Sequence, residues 1–361
     1  MQNKNIIIHS HIQPKKRNYK NTAGVGVFLL VIAAVWFASW KLFSGVGNIG
    51  GAVDLENKKD NAAQTGSFFS EENDYPVIVM IDNSPEAVPF HVGLSSAAVV
   101  YEALVEGGAT RLMALFSGAP QADKIGPTRS ARPYFVETAA GWSAFYLHGG
   151  GSPEALELLR GADVTDLNEI SGLGIRYFWR DEDIPRPHNL FTSGDLIALG
   201  IDDFELRQLP AEKLLWQWSE KIEKNSDAPD ANLVYVDYSE GVAFDASYAY
   251  DSKKKVYLRE QGGMAHYDQG NGEQLFAANL IVQKVPEEGY YPSGYGRIII
   301  DMIGEGDALF FQEGKAIAGA WKKESQNSQT EWLDKDGKPL ILKQGQTWVE
   351  IVPGDRPVAY E

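Results

Sequence analysis

Cysteine is absent from the 361-residue chain, which excludes disulfide staples, thiolate metal sites and lipid attachment through an N-terminal cysteine. Acidic residues are absent from the first forty positions. All 49 Asp and Glu come later, while Lys4, Lys15, Lys16, Arg17 and Lys20 take five of the 33 Lys and Arg. The remainder therefore carries 28 bases against 49 acids, a formal charge of −21. A surface of that sign repels nucleic-acid phosphate, so no nucleic acid is expected as a partner. No Walker lysine, H-E-x-x-H pair or internal repeat is present. Gly45, Gly47 and Gly50 spell G-x-G-x-x-G, but neither the preceding strand nor the following helix that a dinucleotide site needs is there. With 44% apolar residues, and roughly 150 residues per domain, the acidic part has room for two domains.

Thr22 to Trp40 is a run of 19 residues without a charge, about 28 Å long as a helix and so able to span a hydrocarbon core. Four of the five early bases lie between positions 15 and 20 and only Lys41 follows closely. The positive-inside bias then puts residues 1–21 in the cytoplasm as a basic tail, 22–43 in the membrane as a signal anchor, and the bulk of the chain outside. Trp36 and Trp40 suit the outer interface. The competing reading, a cleaved signal peptide, lacks the short apolar region and Ala-x-Ala-like site. Residues 44–74, rich in Gly, Asn, Ala, Ser and charge, read as a flexible linker.

Residues 75–218 read as the first folded domain. Pro76 to Ile81 is a continuous apolar run ended by Asp82-Asn-Ser-Pro85, the pattern of a buried strand with a polar end where ligands of α/β folds often sit. Ala98 to Glu106 and Ala109 to Ser117 are separated by Gly107-Gly108, which predicts a tight hairpin. That register puts Glu102, Glu106 and Arg111 on one face, with Tyr101, Val105, Leu112 and Ala114 on the other. The polar face is either a solvated ion-pair surface or the wall of a site. Arg129 and Arg132 stand just before Pro133 and a helical stretch to about Trp142, so two cations and free helix amides converge where a phosphate or carboxylate would bind. The alternative is that both arginines pair with acids. Ala144 to His148 reads as a strand, followed by Gly149-Gly-Gly151, with Ser152 as the N-cap of the next helix. His148, at the strand end beside glycines, is either a chemical candidate or a satisfied structural ring. His188 and Asn189, on the Pro185 to Leu190 loop ahead of a helix capped by Thr192 or Ser193, either bind or brace the loop.

Residues 231–353 read as a β-rich second domain: Leu233 to Asp237, Val256 to Arg259, Arg297 to Asp301 and Thr347 to Ile351 are short apolar runs between Gly, Asp and Pro turns. Glu313-Gly314 and Asp336-Gly337 suit hairpin turns. Trp321, Trp332, Trp348, Tyr290, Tyr291 and Tyr295 supply aromatic area, mostly for the core, with the remainder able to stack on sugar rings. His266 is isolated and receives no role.

The strings Met80 to Asn83, Tyr101-Glu102, Glu106-Gly-Gly108, Thr110-Arg111, Ile125-Gly-Pro-Thr-Arg-Ser-Ala-Arg132, His148-Gly-Gly150, Ser152-Pro153 and Pro187-His-Asn-Leu190 resemble, in order and spacing, the YerB-like family, from Tyr75 to Pro353. The family comprises bacterial lipoprotein-type chains of uncharacterised domains. The resemblance implies a two-domain extracytoplasmic protein and supplies no catalytic residue. This chain departs in lacking a lipobox cysteine, whose place the Thr22 to Trp40 segment would take. A second, motif-level resemblance is to LytR-CpsA-Psr phosphotransferases, through Thr110-Arg111, Ile125-Gly-Pro-x-Arg129 and His148-Gly-Gly150. It implies a glycopolymer phosphotransferase acting on a polyprenyl-pyrophosphate donor, with Arg111, Arg129 and Arg132 on the pyrophosphate and Glu102 or Asp82 holding a divalent metal. Where that family has an acid pair this chain has Leu112-Met113.

The expectation is thus an α/β (α+β) N-terminal domain and a β-rich C-terminal domain behind one transmembrane helix, in the bacterial cell membrane with its N-terminus cytoplasmic. The expected partner is an anionic or glycan envelope polymer, held at Arg111, Arg129, Arg132, His148, His188, Asn189, Glu102, Glu106 and Asp82. No cofactor or metal is expected outside the phosphotransferase reading, and no residue is assigned to catalysis. A hydrolase using Glu102 and Glu106 ranks last, since their side chains line one strand instead of flanking a substrate.

Overall fold

The computed structural model describes residues 75–206, 215–222, 227–238, 241–286, 288–292, 294–354 and 356–361. The basic tail, the expected anchor at 22–43 and the linker at 44–74 lie outside the described residues. Among the described residues no helix is long and apolar enough to cross a membrane. Thr65–Glu361 form one compact unit.

The unit is built on a mixed ten-stranded sheet. Its strands are β1 (Pro76–Asp82), β2 (Val99–Leu104), β3 (Thr110–Ser117), β4 (Phe145–His148), β5 (Thr165–Asn168), β9 (Asn279–Val285), β12 (Gly304–Gln312), β13 (Lys315–Lys323), β14 (Glu331–Asp334) and β15 (Thr347–Pro353), in the order β14-β13-β12-β9-β15-β2-β3-β1-β4-β5. A second sheet holds β6 (Leu233–Val236), β7 (Ala246–Asp251), β8 (Val256–Gln261) and β16 (Val358–Tyr360), with two short strands on β8. β10 (Gly289–Tyr290) and β11 (Ile298–Ile299) make a separate two-stranded ribbon. Three helices follow their sequence signals: α1 (Pro133–Gly141), α2 (Pro153–Leu159) and α3 (Gly194–Asp203). Pro occupies the first turn of α1 and α2, and the Ser152 and Ser193 hydroxyls accept from Ala155 and Leu196 amides, satisfying donors a helix start leaves free.

β1 reads as a continuous apolar run because it is buried on both faces between β3 and β4. Glu313 and Gly314, both at positive φ, join β12 to β13 with Gln312 opposite Lys315, the expected two-residue turn. Trp321, Trp332 and Trp348 are buried. β15 lies between β2 and β9, parallel to both, so the main sheet runs continuously through segments from both ends of the folded chain.

One expectation fails. The Gly107-Gly108 turn is a three-residue connection, Glu106 to Gly108, closed by the Val105 amide donating to the Ala109 carbonyl at 2.7 Å. Both glycines take positive φ. One extra residue shifts the register by one, so Glu102 opposes Leu112 and Ala103 opposes Arg111. Side chains alternate along a strand, and Glu102 and Arg111 therefore point to opposite faces.

Candidate functional site

The register assigns two chemistries to two faces. Asp82 lies opposite Arg111, and Tyr146 lies beside Ile78, two steps before Met80 and Asp82. Asp82, Arg111, Tyr146 and His148 thus share the face that also receives Tyr134 of α1, whose hydroxyl donates to the Leu104 carbonyl at 2.5 Å. On this face the expected arginines do meet. Arg111, only 8% exposed, donates to the Ser130 carbonyl at 2.5 Å. Its charge is felt by Arg129 and Arg132, and burial, then their repulsion, pulls its guanidinium down to about 10.

The two outer arginines have acidic partners. Arg132 makes a bidentate pair with Glu106, at 2.7 and 2.8 Å. Burial would raise the Glu106 carboxyl, but the Arg132 hydrogen bonds and charge outweigh it and hold it below the usual carboxylate range. Arg129 Nε lies 2.9 Å from Asp82 Oδ2, close enough for charge attraction though not aligned as a hydrogen bond. Asp82 also accepts from the Ser84 amide at 3.0 Å and meets His188 Nδ1 at 2.7 Å. Burial opposes ionisation here too, and Arg129, Ser84 and His188 overcome it, so Asp82 stays ionised well into acid. Arg111 differs. Among the described residues it has no carboxylate in ion-pair contact, and the fully buried Tyr146 hydroxyl in its field has no hydrogen-bond partner. Burying a hydroxyl unpaired costs on the order of 1 to 3 kcal/mol.

Two histidines divide structural from chemical roles. His148 is buried, with Nδ1 at 2.6 Å from the Gly150 carbonyl and Nε2 at 2.7 Å from Asp166. Both nitrogens are engaged by protein oxygens, so neither is turned toward a ligand. His188 offers Nδ1 to Asp82 and is 15% exposed at its side chain, with Nε2 turned to no described partner. Asp82 therefore fixes the ring so that Nε2 can meet a ligand. Asn189 is a brace: its Oδ1 accepts from Arg180 at 3.1 Å and its Nδ2 donates to the Asp181 carbonyl.

Glu102 corrects a second expectation, because it lines no part of this site. It points to the opposite face, fully buried, accepting from Asn83 at 2.9 Å and Thr110 at 2.6 Å and ion-paired with Arg259 of β8. Its strand neighbour Glu350 accepts from Tyr238 at 2.7 Å and from Tyr248, while burial, then the charge of Glu102, raises its carboxyl. His91 joins this interior: its Nε2 donates to the Asp82 carbonyl at 2.5 Å and its Nδ1 accepts from His266 Nε2 at 2.7 Å. Sequence reasoning missed Arg259, Glu350, His91 and His266. The available signal was a lone acid inside each of the apolar runs Val99 to Leu104 and Thr347 to Val352.

Leu112 and Met113 are wholly buried, and among the described residues no cluster of three His, Asp or Glu has metal-holding geometry. An open groove of about 700 Å³ beside α2, lined by Glu154, Glu157, Leu158, Arg160, Gly161 and Gln326, includes none of the three arginines.

Residues 64–207 match the family described as "Protein of unknown function (DUF3048) N-terminal domain", and residues 234–349 match its C-terminal domain. The chain is 35% identical over 284 residues to "Putative lipoprotein YerB" of Bacillus subtilis, covering 77% of this chain and 81% of that one. The crystal structure of the YerB protein from Bacillus subtilis superposes with a TM-score of 0.69 at 30% identity, covering 82% of this chain and 99% of the crystallised one. Two matched domains, a relative above 30% identity and a shared fold over nearly all of a solved structure place the chain in the YerB-like family.

Proposed function

We propose that the protein stands outside the cytoplasm of a bacterial cell, held to the membrane by the Thr22 to Trp40 segment, and binds an anionic component of the cell envelope at Arg111, Arg129, Arg132 and His188. The relative named as a lipoprotein supports the location, since a retained apolar helix and a lipid place a folded unit on the same surface. The observation that carries the binding reading is the Arg111 guanidinium, which has no carboxylate in ion-pair contact among the described residues and whose charge acts on the buried, unpaired Tyr146 hydroxyl. An incoming phosphate or carboxylate supplies the charge and acceptor this face lacks. Arg132 can exchange Glu106 for the ligand, because that pair is partly open to water, with 14% and 22% of the side chains exposed. His188 Nε2 adds a polar contact at the rim. A phosphotransferase reading gains no comparable support, because Leu112 and Met113, standing where that family has an acid pair, are buried apolar side chains.

The test is calorimetry of the folded unit, residues 65–361, with inorganic phosphate and with pyrophosphate. Binding that weakens in Arg111→Met and Arg132→Ala is expected. Titrations without heat at millimolar anion, or affinities indifferent to both substitutions, would overturn the proposal.

A further inference from the structure

Two exposed aromatic rings belong to one short ribbon. β10 and β11 pair Tyr290 with Ile298 outside the ten-stranded sheet. Tyr290 is 65% exposed and Tyr295, in the turn between the strands, is 77% exposed. Gly294 and Gly296 flank Tyr295 at φ +75° and +63°, with nothing within 4 Å of where a side chain would begin.

The ring is braced as well as displayed. The Arg297 guanidinium lies 5.0 Å from the Tyr295 centroid, and Arg297 Nε is 3.2 Å from the Glu154 carboxylate in the first turn of α2. A cation thus backs one face of the phenol and is itself tied to the helix, which lowers the ordering cost of anything that stacks on the other face. Through the Arg297 and Glu154 pair the ribbon is tied to the first turn of α2, whose lead-in neighbours one of the arginines. Gly151, at the start of α2, bridges to Ala131, next to Arg132.

We propose that Tyr290 and Tyr295 form a stacking platform for sugar rings of an anionic glycan whose charged substituent reaches Arg111 and Arg132. The proposal rests on the anion-binding reading and names the class of ligand. A pyranose has an apolar C–H face that matches a tyrosine ring, and hydroxyls that stay hydrated or meet the phenol edge. Its phosphate or carboxylate answers the guanidinium groups.

Three probes separate the parts: inorganic phosphate, N-acetylglucosamine 6-phosphate and neutral tetra-N-acetylchitotetraose, titrated into residues 65–361, the compact unit. The phosphosugar should bind more tightly than phosphate. Tyr290→Ala with Tyr295→Ala should weaken the phosphosugar about tenfold, equivalent to about 1.4 kcal/mol, and leave phosphate unchanged. Tyr295→Trp should keep phosphosugar affinity, and an unaltered melting temperature shows that the variants fold. Tetra-N-acetylchitotetraose binding that disappears in the tyrosine double variant also supports the platform. Equal affinity for phosphate and phosphosugar, or a phosphosugar affinity unmoved by the double variant, overturns the platform while leaving the arginine site standing. Failure of phosphate to bind overturns the arginine site itself.

Discussion

Glu102 and Glu350 are register partners on adjacent parallel strands, both fully buried, and the single guanidinium of Arg259 is ion-paired with the first while its charge acts on the second. Two carboxylates in such contact cannot both ionise without strong repulsion, so burial and the Glu102 charge favour a proton on Glu350 against the Tyr238 and Tyr248 hydroxyls, which donate to its oxygens and favour the carboxylate. The second sheet is locked to the first through this cluster, since Arg259, Tyr238 and Tyr248 come from one side and both acids from the other.

Breaking the cluster on one side leaves an uncompensated buried charge. Arg259→Met and Glu102→Gln are each expected to destabilise the unit by about 3 to 5 kcal/mol in urea unfolding, well above the loss for an exposed pair such as Arg160 with Glu157. A cost near zero would mean that packing alone joins the sheets.

The pH dependence of stability has a calculable sign. Burial holds His91 down to about 4, and burial with the Arg259 charge holds His266 well below the usual imidazole range, so between pH 6.5 and 4 the unfolded chain binds protons that the folded one refuses. Stability falls with pH across that window, by on the order of 3 kcal/mol for His91 alone. Glu350 acts in the other direction: its carboxyl is raised, so the folded state keeps a proton that the unfolded state loses, and stability declines as pH rises through about 8. Thermal melts should peak near pH 6.5, and Glu350→Gln should flatten the alkaline limb and steepen the acid one, because the Glu350 contribution is lost progressively from the usual glutamate range up to about 8. An alkaline limb that survives in the variant would reassign that proton.

At the arginines, Arg129→Ala and Arg132→Ala should each weaken phosphate by about 1.5 to 3 kcal/mol, the scale of charge-assisted hydrogen bonds. Because Glu106 competes for Arg132, Glu106→Gln should strengthen phosphate binding. Calorimetry of the three variants checks the signs, and a Glu106 variant that binds more weakly would show that Glu106 positions Arg132 for its ligand instead of masking it.

Histidine reactivity gives an independent check. His91, His148 and His266 are fully buried, whereas His188 is partly open through Nε2. Diethyl pyrocarbonate should therefore modify one histidine of residues 65–361, and inorganic phosphate should slow that reaction. Rapid modification of a second ring, or indifference to phosphate, would separate His188 from the anion site.

What the sequence disclosed was local. Ser152, Ser193, Pro133 and the Glu313-Gly314 turn act within a few residues of themselves, and their elements lie where those signals put them. Arg129 and Arg132 lie near Arg111 because they sit in one short string, whose Ser130 carbonyl accepts from Arg111. The hairpin misled because Gly107-Gly108 fits a two-residue turn as well as the three-residue turn that forms, and a one-residue slip reverses faces. Glu102 could not be read correctly without Arg259, 157 residues away. The acidic partners of Arg129 and Arg132 were open alternatives in the sequence, and only the packed strands select Asp82 and Glu106.

β15 has a consequence for how the molecule is made. It supplies the parallel partner of β2 on one side and of β9 on the other, so neither strand has its full complement of backbone bonds until Thr347 to Pro353 arrive. A chain emerging from the N-terminal end would hold β1 to β5 with an open, apolar border for most of its synthesis. Completion of the last strand is therefore the step that seals the sheet, and fragments ending before it should be recognisable to proteases by that unsealed border.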